Sequence, residues 1–372
     1  MRVVYFGFPA RSHTVPSLAL IQELVSRGAR VEYHSTSRFR SLIESAGAAF
    51  VAYPSVCEDL TDPRGLGDDG GVVAHAHRLA DAASRMLREL VASVARPDLI
   101  IFDASALWGH QIGLAWKVPS VAFITTFAFT RGMLEMLGVA EAGVLDVLVP
   151  AADLKVICTS RYFQPSGRYF DASHLFVGPL TDRRPQDGVP VQPEGPRPLA
   201  YVSLGTIFNR NFELLRRIAG TLSSAGWQVV VALGDASACD SGEWPSHVRV
   251  YPFVNQMAAL SIADIAVTHG GMGSISEILC RGVPAIIVPQ AADQFLVARR
   301  TASLSAAVVV DPAAEFTVAW STAISQIQTR RTELSHAATR IAQSFSDVTP
   351  LASAAVRIMQ LGDAGRADAA RA

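Results

Sequence analysis

Two groups of residues in this 372-residue chain have types and spacings that can do chemistry. The first is Thr268-His269-Gly270-Gly271-Met272-Gly273-Ser274-Ile275-Ser276-Glu277. An apolar run, Asp264–Thr268, leads into it, and a helix-like stretch closing at Gly282, a second apolar run Ala285–Pro289 and then Asp293-Gln294 follow. A glycine-rich turn between a strand and a helix N-terminus is a site for phosphate. Its unpaired amides point outward, the helix dipole favours negative charge, and glycine lets the phosphate approach the backbone. No Lys follows, so the turn is not a P-loop, and its spacing is not G-x-G-x-x-G. His269, Glu277, Asp293 and Gln294 add groups that suit a nucleoside diphosphate carrying a sugar.

The second group is His13 and Asp103, 90 residues apart. In open parallel sheets ligands bind beyond the carboxyl ends of the strands, where the strand order reverses. In the order 3-2-1-4-5 the first and fourth strands are neighbours at that reversal. The first strand ends near Phe6 and leads into Gly7–Pro16, which contains His13; the fourth, Leu99–Phe102, ends at Asp103. A carboxylate beside an imidazole fixes its tautomer and raises the basicity of the other nitrogen, giving a general base for a hydroxyl. The plainer alternative is that each residue caps a helix.

The second half repeats this geometry. Its first strand ends in Ser203-Leu204-Gly205-Thr206 and its fourth at His269. Ser203, Gly205, Thr206 and His269 should converge on the same phosphates as Gly271, Gly273 and Ser274. Two residues have competing explanations: Ser274 with Glu277 three later matches a helix capping box, and Glu277 can instead accept two hydrogen bonds from a ribose diol. Asp293 can serve sugar hydroxyls or cap a helix. Phe127 and Phe129, after the fifth strand, fit either the core or an acceptor wall.

These residues need a scaffold that the pattern supplies. Strands are expected at Arg2–Phe6, Val31–Ser35, Ala49–Tyr53, Leu99–Phe102, Ser120–Ile124 and Lys155–Thr159, with amphipathic helices between them such as Ser17–Ser26. A second set follows at Leu199–Leu204, Gln228–Leu233, Val248–Tyr251, Ile265–Thr268, Ala285–Val288 and Ala306–Val309. The alternation argues α/β architecture: two Rossmann-like, doubly wound parallel-sheet domains facing across a cleft. The first domain spans 1–180. Pro179, Pro185, Pro190, Pro193, Pro196 and Pro198 mark 181–198 as a semi-rigid interdomain linker. The second domain spans 199–349, a closing helix over 350–362 is expected to pack back on the first domain, and 363–372 reads as a frayed tail. Thr61–Gly71 reads as a mobile loop.

Composition narrows the function classes. Half the residues are hydrophobic, and 32 basic against 33 acidic residues leave a formal charge of -1. No net field draws the chain to nucleic acid or an anionic membrane. No apolar run reaches the roughly 18 residues of a membrane helix, and Met1–Phe6 reads as a strand rather than a signal peptide. Cys57, Cys158, Cys239 and Cys280 are scattered, as in a cytoplasmic protein with reduced thiols. No zinc spacing and no D-x-D after a strand occur, and Asp68-Asp69 lies in a loop without supporting ligands, so neither a metal nor a cofactor is expected. Nothing here marks an oligomeric state.

With these residues assembled, the chain resembles the inverting, nucleotide-sugar-dependent glycosyltransferases of the GT-B fold, most closely the bacterial macrolide-glycosyltransferase group that modifies natural products. The resemblance covers nearly the whole chain. It is carried by His269–Glu277, Gly282-Val283-Pro284, Pro289-Gln290 and Asp293-Gln294, by Ser203–Thr206 and Val254-Asn255-Gln256, and by Phe8–Pro16, Leu20–Leu24, Arg27-Gly28 and Leu99–Gly109. It implies His13 as catalytic base with Asp103 as its partner, and His269, Gly273 and Ser274 as pyrophosphate contacts. Glu277 would be the ribose ligand, Gln256 with Val254 the base-contacting segment, and Asp293 with Gln294 the donor-sugar contacts. Three positions depart from the pattern. Ser12 replaces the usual glycine and Val15 the common Asn, changes expected to alter acceptor or phosphate contacts. Asn255 replaces a frequent Pro and is expected to loosen the base-recognition turn.

The reaction this implies is sugar transfer from a nucleotide-sugar donor, UDP-glucose before a thymidine-linked deoxysugar, to a small hydroxylated acceptor lodged near Phe127 and the loop Gly65–Gly71. Attack opposite the leaving diphosphate would convert an α-linked donor into a β-glycoside, with helix amides and His269 in place of a metal. Two other readings stay open. One is a nucleotide-sugar epimerase or hydrolase of the same fold, which would need acidic residues at the sugar. The other is a non-catalytic helper, against which the intact His13, Asp103 and donor motif argue.

Overall fold

The computed structural model describes residues 1–54, 71–136, 138–139, 141–180, 196–205, 211–234, 243–290 and 293–369. The expected loop Gly65–Gly71 (except Gly71 itself), Asp68-Asp69, Thr206 and most of the expected linker, 181–195, lie outside these residues. The chain divides into two compact units, Met1–Arg183 with Asp347–Ala372, and Arg184–Ser346.

The first unit runs β1 (Arg2–Phe6), α1 (Arg11–Ser26), β2 (Arg30–Ser35), α2 (Arg40–Ser45), β3 (Ala49–Ala52), α3 (Gly71–Ser93), β4 (Leu99–Asp103), α4 (Leu107–Trp116), β5 (Ser120–Ile124), α5 (Arg131–Met136), α6 (Ala142–Leu148), β6 (Leu154–Ile157) and β7 (His174–Phe176). Its strands are all parallel, in the order β3-β2-β1-β4-β5-β6-β7. Both faces are covered, and the central strands are therefore apolar throughout rather than alternating. Val3 and Tyr5 of β1 with Leu99 and Ile101 of β4 pack under α1 and α2. Val4 and Phe6 with Ile100 and Phe102 pack under α3 and α4. Helix α4 lies especially close: a Cβ at Gly109 would sit 2.6 Å from Phe102 Cβ and 2.9 Å from Phe6 Cδ2. β7 escaped the sequence reading because three residues carry no usable periodicity.

Helix α1 begins at Arg11, well before the expected Ser17, and contains Pro16. Proline removes one intrahelical bond, the one its N–H would make to the Ser12 carbonyl four residues back. Ser12 is exposed, so water can replace that bond. As a result His13 stands on the first helical turn and not in a loop.

The second unit runs β8 (Leu199–Ser203), α7 (Phe212–Ser224), β9 (Gln228–Ala232), β10 (Val248–Tyr251), α8 (Gln256–Leu260), β11 (Ile265–Thr268), α9 (Met272–Cys280), β12 (Ala285–Ile287), α10 (Gln294–Ser303), β13 (Ala307–Val309) and α11 (Phe316–Ser344). Its parallel sheet has the order β10-β9-β8-β11-β12-β13. Leu215, Ile218 and Leu222 of α7 and Trp320, Ile324 and Ile327 of α11 bury one face with Val202, Val229 and Val267.

The chain closes with α12 (Leu351–Ala369), whose Ala354, Ala355 and Ile358 join the α1 side of the first unit's core. The expected frayed tail from 363 is helical through Ala369. The small residues read as fraying are a packing face. Gly362 lies against Met1 and Gly365 against the Pro119 ring, too close for any side chain. Arg366 also reaches Asp98 at 4.0 Å.

Gly109→Ala is expected to force α4 off β1 and β4 and cost about 1–3 kcal/mol. A urea titration reads this as a lower midpoint for the first unit; an unchanged midpoint would show that the helix is not held at this contact.

Candidate active site

In the first unit, β1 and β4 are hydrogen-bonded neighbours, with Phe6 opposite Phe102. Their carboxyl ends deliver the two halves of one pair. His13 Nδ1 lies 2.9 Å from Asp103 Oδ2 and 3.0 Å from Oδ1. Asp103 is 1% exposed, so its ionised form must be met by donors. It is met by the His13 ring and by the Ser105 amide, which donates to Oδ1 at 2.9 Å. A carboxylate only accepts, so Nδ1 carries a proton and donates it to Asp103. The neither-residue-is-a-pair alternative, in which each merely caps a helix, does not hold: the residue at the α1 cap position is Ala10, and α4 follows Ala106.

Further side chains fix the ring. Thr125, just past β5, places Oγ1 3.3 Å from His13 Nδ1, and Phe8 lies 5.0 Å from the imidazole, centroid to centroid. One turn along α1, Ser17 Oγ donates to the Thr14 carbonyl at 2.7 Å and meets the Tyr33 hydroxyl at 2.9 Å, tying this turn to β2. Burial, and after it the charge of Asp103, holds the nearby Cys158 thiol far above its ordinary range, so it offers no competing nucleophile. Thr125 and Phe8 carried no sequence signal, since neither belongs to a spaced motif.

Phe127 does not wall an acceptor site. It is 2% exposed and packs on Phe163 at 5.4 Å, within the core behind β5. Phe129 is half-buried against the cluster of Ala76, Leu134 and Leu145 and keeps some accessible ring. Val15 is also a core residue, at 2%; Ser12 is exposed.

In the second unit β8 and β11 repeat the pairing, with Ser203 opposite Thr268. The His269 imidazole is packed between two glycine backbones. A Cβ at Gly205 would lie 2.7 Å from its Cε1, and one at Gly271 would lie 2.6 Å from its Nε2. Gly205 also has φ +85° and Gly270 φ +91°, conformations that favour glycine. Burial lowers the His269 pKa to about 4, so at neutral pH the ring offers a neutral N–H and no charge.

Gly271 is the N-cap of α9 and makes no side-chain cap, which leaves Met272, Gly273 and Ser274 on the first turn with the helix's unpaired amides. Ser274 is therefore the third helical residue, and the capping-box explanation of Ser274 and Glu277 fails. Glu277, one turn further on and 1% exposed, accepts instead from Gln256 Nε2. The Gln256 oxygen accepts from the Tyr201 hydroxyl at 3.1 Å.

This arrangement changes how the neighbouring turn can be used. Val254 is 8% exposed and the Gln256 amide faces inward, so a nucleobase would meet this segment through its backbone. Asn255 does not loosen the turn. Its side chain accepts from the Ala258 amide at 3.1 Å and caps α8, doing by hydrogen bond what proline does by ring closure. Asp293 occupies the N-cap position of α10 without a side-chain cap bond, against the capping explanation. Gln294 is 6% exposed and its oxygen accepts from the Gln290 amide at 2.8 Å, so one of its two functional ends holds the turn.

The chain is similar in sequence and fold to known proteins. Residues 216–359 match the C-terminal domain family described as erythromycin biosynthesis protein CIII-like. The chain is 27% identical over 344 residues to the uncharacterized UDP-glucosyltransferase YojK of Bacillus subtilis, covering 83% of this chain and 84% of that one. It is 29% identical over 342 residues to demethyllactenocin mycarosyltransferase of Streptomyces fradiae, covering 81% and 74%. Among solved structures it is similar to the glycotransferase of kitacinnamycin, with a TM-score of 0.81, 26% identity and 97% and 98% coverage.

Two desolvated imidazoles, buried His34 and partly exposed His269, set an acid limit on stability. His34 on β2, 3% exposed, is held near a pKa of 4 by burial, as is His269, against an ordinary value of 6.5. The unfolded chain thus binds more protons between pH 6.5 and 4, and stability falls as pH drops through that window. Each ring contributes no more than about 3 kcal/mol. His269→Gln should flatten the second unit's loss of stability, read by urea unfolding across the window; a slope equal to wild type would count against the desolvated neutral ring.

Proposed function

We propose a reaction for a chain that is a GT-B glycosyltransferase of the natural-product type: inverting transfer of a sugar from a nucleoside-diphosphate donor to a hydroxyl of a small acceptor. The observation that carries the proposal is the His13–Asp103 pair at the carboxyl ends of β1 and β4. Its Nδ1–H donates to a buried carboxylate, and in this reading Nε2 takes the acceptor's proton. The acceptor oxygen forms a bond to the anomeric carbon as the bond from that carbon to the diphosphate oxygen breaks, and the proton ends on His13. Attack from the face opposite the leaving group inverts the anomeric centre.

The leaving diphosphate gains charge in this step. The unpaired amides of the first α9 turn, at Gly273 and Ser274, are its natural partners, and neutral His269 adds one N–H. No step calls for a metal. Glu277 lies about one helical turn beyond Ser274, a spacing that suits a ribose attached to the diphosphate. Asp293, with whatever Gln294 retains beyond its bond to Gln290, would meet the donor sugar. UDP-glucose is the first donor to test, in keeping with the sequence resemblance and the name of one relative, with a thymidine-linked sugar as the second. Phe129 is the aromatic residue left to face an acceptor.

His13→Ala should lower turnover by about 10³-fold, and Asp103→Asn by a similar order, while titration calorimetry still finds nucleoside diphosphate bound. Undiminished turnover in His13→Ala would remove the base from the mechanism. Turnover of wild type should be unchanged by excess EDTA, and proton NMR of the product of an α-linked donor should show the β-anomer; a retained α-configuration would exclude direct displacement.

A further inference from the structure

We propose that Tyr201 is a positioning residue for the donor: its hydroxyl fixes the amide of Gln256, and that amide fixes the carboxylate of Glu277 for the ribose. The inference rests on the reading of Glu277 as the ribose ligand.

Tyr201 lies in the middle of β8, between Val230 of β9 and Ala266 of β11, and is 2% exposed. A phenylalanine would fill a central parallel strand equally well. A tyrosine there buries a hydroxyl, at a cost of a few kcal/mol unless it finds a partner. The partner is the Gln256 oxygen, 3.1 Å away at the start of α8. The other end of the same amide donates to Glu277 on α9. The direction of both bonds follows from chemistry. A carboxylate accepts only, so the amide nitrogen must face Glu277, which leaves the amide oxygen facing Tyr201 and makes the phenol the donor.

Three elements, β8, α8 and α9, thus meet through two hydrogen bonds at one buried acid. Glu277 has three rotatable side-chain bonds. Its own helix supplies no partner through a cap, since the N-cap of α9 is Gly271 and makes no side-chain bond. Removing the phenol leaves the Gln256 oxygen without this donor. The amide then loses one of its two anchors and can swing together with the carboxylate it holds. The amides of Gly273 and Ser274, one turn earlier on α9, would keep their positions. The expected consequence is selective: ribose recognition weakens while diphosphate recognition does not.

The test is titration calorimetry of wild type and Tyr201→Phe with two probes, UDP and 2′,3′-dideoxyuridine diphosphate, which lacks the ribose hydroxyls. Wild type should prefer UDP by about 10-fold. Tyr201→Phe should lose most of that preference through weaker UDP binding, while binding dideoxyuridine diphosphate within about 2-fold of wild type, which also reports an intact fold. In steady state the donor KM should rise with little change in kcat, the mark of lost uniform binding. Gln256→Leu should behave alike, and the double variant should be no worse than either single one. A Tyr201→Phe protein that keeps the full wild-type preference overturns the positioning role. A wild type that does not distinguish the two probes overturns the ribose role of Glu277 itself, and the proposal falls with it.

Discussion

Each unit depends on the side-by-side pairing of its first and fourth parallel strands. Chain connections leave these two strands toward opposite directions of the sheet, so a crevice opens at their carboxyl ends that neither connection fills. The β1–β4 pairing brings His13 and Asp103 together, and the β8–β11 pairing brings Gly205 against His269. Most residues of these paired strands are buried and apolar, so the strand ends are held by a packed core.

Both units bury an acid at the end of the strand pair or on the helix that follows it, and each accepts hydrogen bonds there. Asp103 receives the imidazole N–H of His13 and the amide of Ser105; Glu277 receives the amide of Gln256. Pairing either acid with a fixed cation would spend its negative charge on the protein. Hydrogen-bond donors orient the carboxylate and leave its charge available, in the proposed reaction, to the proton gained by His13 in one case and to the ribose in the other. His269 follows the same logic with the opposite polarity. Desolvated between two glycine backbones, it stays neutral and offers directed hydrogen bonding without a permanent positive charge.

Much of this was legible in the chain. Strands and helices alternate with periods that depend on near neighbours only, so every strand but β7 could be read along the sequence, and the usual doubly wound order then predicts the meeting of His13 with Asp103. The turn at His269–Ser274 was legible for the same reason, since glycine spacing before a helix is a local property. Misreadings arose where the deciding contact came from far away. Phe127 sits at a strand end, as a ligand contact would, but Phe163 covers it. Gly362 and Gly365 have the composition of a loose end, but Met1 and Pro119 make them a tight one. Asn255 looks like the loss of a rigid proline, and one hydrogen bond to Ala258 restores the rigidity.

The sequence by itself determined which residues stand at the ends of which strands, because strand identity follows from hydrophobic period and chain direction. Only the tertiary structure decided where their side chains turn. Ser274 and Glu277 are spaced as a capping pair, yet the helix begins at Met272 and Glu277 looks to Gln256 instead. Tyr201, Gln256 and Glu277 come from a strand and two helices spread over 76 positions, and no local pattern links them. Backbone periodicity is a short-range property written in each segment. The direction of a buried hydrogen bond is set by whichever groups the packed core leaves within about 3 Å, and that is known only once the core has formed.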